Sequence, residues 1–247
     1  MPFEEALWDK ASHEPTSEYT NSVMLEMTQA KTQLSSTSVI TIDGLAASGK
    51  SSVAKGIANQ LGIPYVSSGL LYRAVTFAAL LHQVDIHKES EILALLEQST
   101  LKLEPKNDGN RAILNGQDIS KDCHSSQVDQ NVSIVALHPN VRTWVNNTIR
   151  ALEKPFVAEG RDMGAVVFPD ALVKLFLTAS SSNRAKRRSF ERPEDFLELK
   201  QMIEARDAAD AINSGASPDA VVIDTEYLNL EEVIAAALGK IETALTS

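Results

Sequence analysis

The sequence predicts an α/β fold: a five-stranded parallel sheet flanked by helices, with a small antiparallel β insert and a short lid. Three observations predict it. Short β-branched runs alternate with helical segments along most of the 247 residues, the rhythm of parallel strands joined by crossover helices. The first such run feeds directly into Gly44-Leu45-Ala46-Ala47-Ser48-Gly49-Lys50-Ser51, which fits the pattern G-x-x-x-x-G-K-[ST] without a mismatch. One stretch in the middle breaks the alternation and centres on Asn115-Gly116, the strongest short signal for a hairpin turn.

The elements follow in chain order. Ser38 to Asp43 is the first strand, and Lys50 to Leu61 the first helix, with Val53, Ile57 and Leu61 at helical spacing. Pro64 to Ser67 is a short strand, followed by a helix over Leu70 to Leu81. Leu101 to Glu104 alternates, Asn107-Asp108-Gly109 turns, Ala112 to Leu114 extends and Gln117 to Ile119 returns, forming the antiparallel piece. Ser125 to Leu137 and Pro139 to Leu152 read as helices; the missing N–H of Pro139 costs nothing at a helix start. Phe156 to Glu159, Val173 to Leu177 and Ala220 to Asp224 bring the strands to five.

Composition sets the outer limits. A hydrophobic content of 43% over 247 residues supports a substantial core. Residues 1–37 are polar and end in Ser35-Ser36-Thr37-Ser38. They offer too little apolar surface to offset ordering, so a flexible extension is expected, with a possible partner. Residues 38–247 form the domain, with the insert region at about 84–153 and the lid at about 180–205. A net charge of −10 argues against a general nucleic-acid or membrane surface, although a local group of arginines can still hold a small anion. The single cysteine, Cys123, excludes a disulfide framework, and the five histidines share no metal-ligand spacing. No apolar run approaches the roughly 18 residues of a membrane span, and no signal peptide is evident. A cytoplasmic monomer is expected.

The octapeptide identifies a site for a nucleotide triphosphate. Glycines let backbone N–H groups approach phosphate oxygens, the following helix adds its positive end, and Lys50 can reach the transferable phosphate. Ser51, with Ser52 beside it, offers a hydroxyl for Mg²⁺. Moving a phosphoryl group onto a second phosphate brings like charges together, and two unit charges at 4 Å repel by about 4 kcal/mol at an effective dielectric of 20. Arginines suit the neutralising role through bidentate contacts. Arg73, Arg161 and Arg206 stand near expected strand ends or helices facing a cleft, while Arg184, Arg187 and Arg188 cluster with Lys186 ahead of Arg192-Pro193, a layout for a lid over the donor. Asp162 either pairs with a neighbouring arginine or accepts a hydrogen bond from an exocyclic amine. Tyr72 either fills the core or packs on a ligand.

These residues resemble the bacterial-type cytidylate kinases, a P-loop family of nucleoside monophosphate kinases. The similarity runs from about Val39 to the C-terminus. It rests on Ile42-Asp43-Gly44 with the phosphate loop, Ser68-Gly69-x-x-Tyr72-Arg73, the hairpin from Ile113 to Ser120, and Gly160-Arg161-Asp162-Met163-Gly164-x-Val166-Val167-Phe168-Pro169-Asp170. The resemblance implies a P-loop kinase core whose insert enlarges the monophosphate-binding side, and transfer of phosphate from MgATP to CMP or dCMP. It implies that Ser133, Arg142 and Asp162 contact cytosine, Arg206 and Asp210 the ribose region, and Ser68, Arg73 and Arg161 the acceptor phosphate. Lys50, Arg161, Arg184 and Arg188 then act on the transferred group.

Three departures stand out. The Arg-Asp-x-x-Asp-x-x-Arg pattern ends here in Asn213, the connection from there to Ala220 is short, and Glu159 stands where an aspartate is common. If Asn213 replaces one of several acceptor clamps, the enzyme is slower but working. If it replaces the decisive cation, the chain is a nucleotide-binding pseudokinase that docks a partner.

Overall fold

The computed structural model describes residues 34–106, 109–191, 195–210 and 215–246. Most of the expected extension, Asn107-Asp108, Arg192-Pro193, Asn213 and the Asp210 side chain lie outside the described residues. In chain order, β1 (Val39–Gly44) leads to α1 (Lys50–Leu61), and β2 (Tyr65–Ser67) to α2 (Ser68–Leu81). Next come α3 (Glu89–Gln98), β3 (Leu101–Pro105), β4 (Asn110–Leu114), β5 (Gln117–Asp118), α4 (Ser126–Val135) and α5 (Pro139–Arg150). The chain returns through β6 (Phe156–Glu159) and β7 (Val173–Thr178) to α6 (Ser181–Glu191) and α7 (Phe196–Asp210), then finishes with β8 (Val221–Asp224) and α8 (Leu230–Leu245).

The main sheet has the order β2-β6-β1-β7-β8, with every pairing parallel. All six residues of the central strand β1 are buried, which is why its sequence reads as a nearly continuous β-branched run. Ile40 and Ile42 pack with Val53 and Ile57 of α1 and with Val233 and Ile241 of α8. On the other face, Val66, Phe156 and Ala158 meet Leu71 and Val75 of α2 and Val145 and Ile149 of α5. The sheet is thus covered on both sides, and its five strands are those read from the sequence, with ends shifted by one residue at most.

The antiparallel insert is a three-stranded sheet in the order β3-β4-β5. Its turn residues Asn115 and Gly116 have φ of 50° and 85°, the left-handed pair that the Asn-Gly signal demands. Asn110 ties the insert to the main sheet: its side-chain oxygen accepts from the Ser67 N–H at 3.1 Å and its amide donates to the Tyr65 carbonyl at 3.0 Å. One helix escaped the sequence reading. Helix α3 buries Ile92 and Leu96 at i,i+4 spacing behind the first-turn acids Glu89 and Glu91, a signal present in the chain but short enough to pass for a connection.

Two local features set the phosphate loop. Gly49, at φ 86°, opens α1 and Gly62, at φ 66°, ends it, so the helix begins at Lys50 with its first N–H groups directed back over the loop. Gly44 has φ 152°, and a Cβ there would lie 2.3 Å from the Leu177 carbonyl oxygen of β7. The loop therefore leaves β1 hard against the neighbouring strand. Gly44→Ala is expected to lower stability by about 3 kcal/mol from overpacking and backbone strain. Urea unfolding checks this through a lower midpoint at unchanged slope.

Candidate active site

A cleft of about 610 Å³ opens at the C-terminal ends of β1, β2 and β6, the edge at which open α/β sheets bind ligands. On one wall lie Ala46, Ala47, Lys50 and Ser51 of the phosphate loop and α1; on the other lie Ser68, Tyr72 and Arg73 of α2 with Ser133 and Arg142. Arg161 forms the floor between them, and Arg188 and Arg206 reach in from α6 and α7. A second cavity of about 560 Å³ lies across the phosphate loop, lined by Ser48, Gly49 and Ser52 together with Arg187, Arg188 and Asn229. Of the residues anticipated for a donor and an acceptor, most line these two cavities from separate stretches of chain, but Gly44, Leu45, Asp162 and Arg184 line neither.

The floor is fixed by a buried carboxylate. Asp43, the penultimate residue of β1, accepts from the N–H groups of Met163 at 2.9 Å and Gly164 at 2.7 Å. Those amides open a single π-helical turn, Met163–Val167, in which the Phe168 N–H reaches the Met163 carbonyl at 2.7 Å. This turn, unforeseen from sequence, sends Arg161 across to the Gly44 carbonyl at 3.1 Å. Burial pushes the Asp43 carboxyl up to about 6, against the two N–H donors that pull it down. Beside it, Ser67 donates to Glu159 while its hydroxyl oxygen accepts from the Leu70 N–H at 3.3 Å, starting α2.

The wall opposite the phosphate loop is an ordered polar network. Arg142 is hydrogen-bonded to Asp162 and donates to the Ala136 carbonyl at 3.2 Å. Its guanidinium also lies 6.0 Å from the Tyr72 ring centroid, so Tyr72 is both core filling and cleft lining. Burial raises the Asp162 carboxyl above its usual range, and Arg142 opposes that rise. Arg73 pairs with Asp129 at 2.6 Å and donates to the Cys123 carbonyl at 3.2 Å. Asp129 escaped the sequence reading, although it sits four residues before Ser133 on the same helix face.

Lys50 faces the centre. Its Nζ donates to the Leu45 carbonyl at 2.7 Å, so the loop holds its own cation in place. Burial is the main reason its ammonium is lowered to about 7, and the positive charges of Arg161 and Arg206 push the same way against Glu159 and Asp43. The cleft is crowded with like charge and calls for an anion.

Arg184 departs from the expectation that placed it among the catalytic cations. It lines neither cavity. The residue is 3% exposed, and its Nε, Nη1 and Nη2 donate to the Ala179 carbonyl, the Ala46 carbonyl and Asp207 at 3.0, 2.8 and 2.6 Å. Arg187 is likewise turned to Thr225 at the end of strand β8, with Nη1 at 2.9 Å from the hydroxyl.

A glycine loop between strand and helix, a lysine at its centre, and a facing set of guanidinium groups define a P-loop kinase of the α/β class. Comparisons with known proteins narrow the class. The family model "Cytidylate kinase" matches residues 40–243. The cytidylate kinase of Deinococcus radiodurans is 54% identical over 203 residues, 82% of this chain and 98% of that protein. That of Thermus thermophilus is 48% identical over the same shares. Among solved structures, a gluconokinase from Sinorhizobium meliloti 1021 aligns at 18% identity and a TM-score of 0.46, covering 86% of this chain and 96% of that one. The chain belongs to the cytidylate kinase family.

The depressed Lys50 has a measurable consequence. A triphosphate beside the ammonium favours its charged form, so binding at pH 8 takes up about one proton, and affinity falls as pH rises above about 7. Calorimetric titration of ATP in two buffers of different ionisation enthalpy should report this uptake, and Lys50→Met should abolish it.

Proposed function

We propose that this protein transfers the γ-phosphoryl group of MgATP to CMP or dCMP, giving ADP and the diphosphate. The observation that carries the reading is the one cleft that faces Lys50 and the phosphate loop on one side and Arg73, Arg161 and Arg142, with Asp162 bonded behind Arg142, on the other. Such transfer needs little covalent help from the protein; positioning and charge neutralisation supply most of the acceleration. ATP lies with its phosphates over the amides of the loop and its base toward the cavity lined by Arg187 and Asn229. The acceptor phosphate lies on Ser68, Arg73 and Arg161, with the ribose toward Arg206. Lys50 and Arg188 then meet the transferred group from the donor side.

The residues present fit a magnesium ion. Ser51 is exposed in the first turn of α1 and lines both cavities, and the buried Ser48 hydroxyl of the loop has no protein hydrogen-bond partner. A hard cation that keeps water and phosphate oxygens as ligands would take such a hydroxyl from the phosphate loop. Bound there with ATP, the ion neutralises phosphate charge.

Base selection falls to Arg142, Asp162 and Ser133. The Asp162 carboxylate accepts from the exocyclic amine of cytosine, whereas uracil presents a carbonyl at that point and leaves the buried acid facing an oxygen. The reading with little turnover has no observation of this structure in its favour: five arginines line the cleft independently of position 213. We propose the stretch at about 180–205, α6 and the first part of α7, as the lid. Among the described residues no helix is long and apolar enough to cross a membrane.

Purified protein with MgATP and, in turn, CMP, dCMP, UMP and AMP tests the reading: ADP should form fastest with the cytosine nucleotides, and no ADP with any acceptor rejects it. Lys50→Met should lower kcat by about 10³, the scale of removing a donor to developing charge. Asp162→Asn should raise KM for CMP at least about tenfold, the value of one charged hydrogen bond, with KM for ATP little changed. Steady-state kinetics with each substrate varied separates these effects.

A further inference from the structure

The N–H and the carbonyl of Ala46, in the phosphate loop, are both bonded to side chains of α6 and α7. Its N–H donates to Asp207 Oδ1 of α7 at 3.2 Å, and its carbonyl accepts from Arg184 Nη1 of α6 at 2.8 Å. The two side chains close the ring through Arg184 Nη2 and Asp207 Oδ2 at 2.6 Å. Around it Ala46, Ala185, Leu199 and Ile203 form a separate apolar cluster. The contact spans 161 positions between Ala46 and Asp207, so it is a device of the tertiary fold.

A carboxylate beside a phosphate loop poses an electrostatic problem. Asp207 lines neither cavity but is bonded to the loop to which an incoming triphosphate brings several negative charges, and partial burial weakens the screening that water would supply. Arg184 solves it. The guanidinium cancels the carboxylate while its remaining nitrogens are taken by carbonyls, which leaves Asp207 able to hold the loop without repelling the donor. The same ring carries the cleft cations: Arg188 lies one helical turn beyond Arg184, and Arg206 adjoins Asp207, both at the cleft.

We propose that Arg184 and Asp207 are paired positioning residues for the donor: the pair latches α6 and α7 to Ala46, and Arg184 acts by masking Asp207 rather than by touching the transferred phosphate. This rests on the ATP-dependent transfer proposed above. It predicts an unusual sign. Arg184→Met leaves a partly buried, unmasked carboxylate on the phosphate loop and should raise KM for ATP at least about thirtyfold. Adding Asp207→Asn to it removes that charge and should recover at least about tenfold of the loss, while KM for CMP stays within about twofold throughout.

The test measures KM for ATP and for CMP, and kcat, in wild type, Arg184→Met, Asp207→Asn and the double variant, with circular dichroism and thermal midpoints on each. Recovery in the double variant supports the masking role. A double variant as poor as, or worse than, Arg184→Met would mean that Arg184 contacts the donor directly and would overturn the proposal. Should Arg184→Met fail to fold, Arg184→Lys serves: masking by a point charge should restore most ATP affinity, and a loss as large as that expected for methionine would also overturn it. An inactive wild type would instead reject the proposed transfer itself, so the two failures are distinguishable.

Discussion

The site depends on one buried carboxylate at the end of the central strand. Asp43 lies between the phosphate loop that follows it and the Met163–Gly164 amides that it holds. Because β1 and β6 are neighbours in register, with Ile42 opposite Glu159, the two loops leave the sheet side by side. A carboxylate accepting two amides fixes their separation more tightly than apolar packing could, since hydrogen bonds to charged groups are short and directional. Arg161 completes the crossing by donating to Gly44. The donor and acceptor halves are thereby one piece of architecture, and a displacement of either carries the other with it.

The cleft gathers positive charge from several elements. Five arginines and a lysine face a space inside a chain of net charge −10, and Lys50 is lowered mainly by its burial, with the charges of Arg161 and Arg206 adding to it. Acidic neighbours offset part of the positive charge: Asp162 beside Arg142, and Asp129 beside Arg73. These pairs hold the guanidinium planes before any ligand arrives, which is the preorganisation that phosphoryl transfer exploits. The overall acidity of the surface lies elsewhere and does not set the potential within the cleft.

The sequence was most legible where structure is local. The octapeptide, its flanking strand and Val53, Ile57 and Leu61 led to β1 and α1 because backbone φ and helical period leave their mark within a dozen residues. Asn115-Gly116 likewise fixed the hairpin. Helix α3 was passed over because ten residues with two buried positions carry a weak period. The π-helical turn was hidden because its cause, Asp43, lies 120 positions from Met163.

What the sequence determined by itself is a phosphate loop at the end of a β1–α1 unit in a parallel α/β sheet, since glycines, a lysine and alternating elements can satisfy few other arrangements. What only the tertiary structure decided is the use of each arginine. A guanidinium on a long, rotatable stem can turn to a carbonyl, a carboxylate or a ligand, and the choice rests with groups brought from far along the chain. Arg188 and Arg184 lie one turn apart on the same helix, yet the first faces the cleft and the second is sealed between Ala46, Ala179 and Asp207.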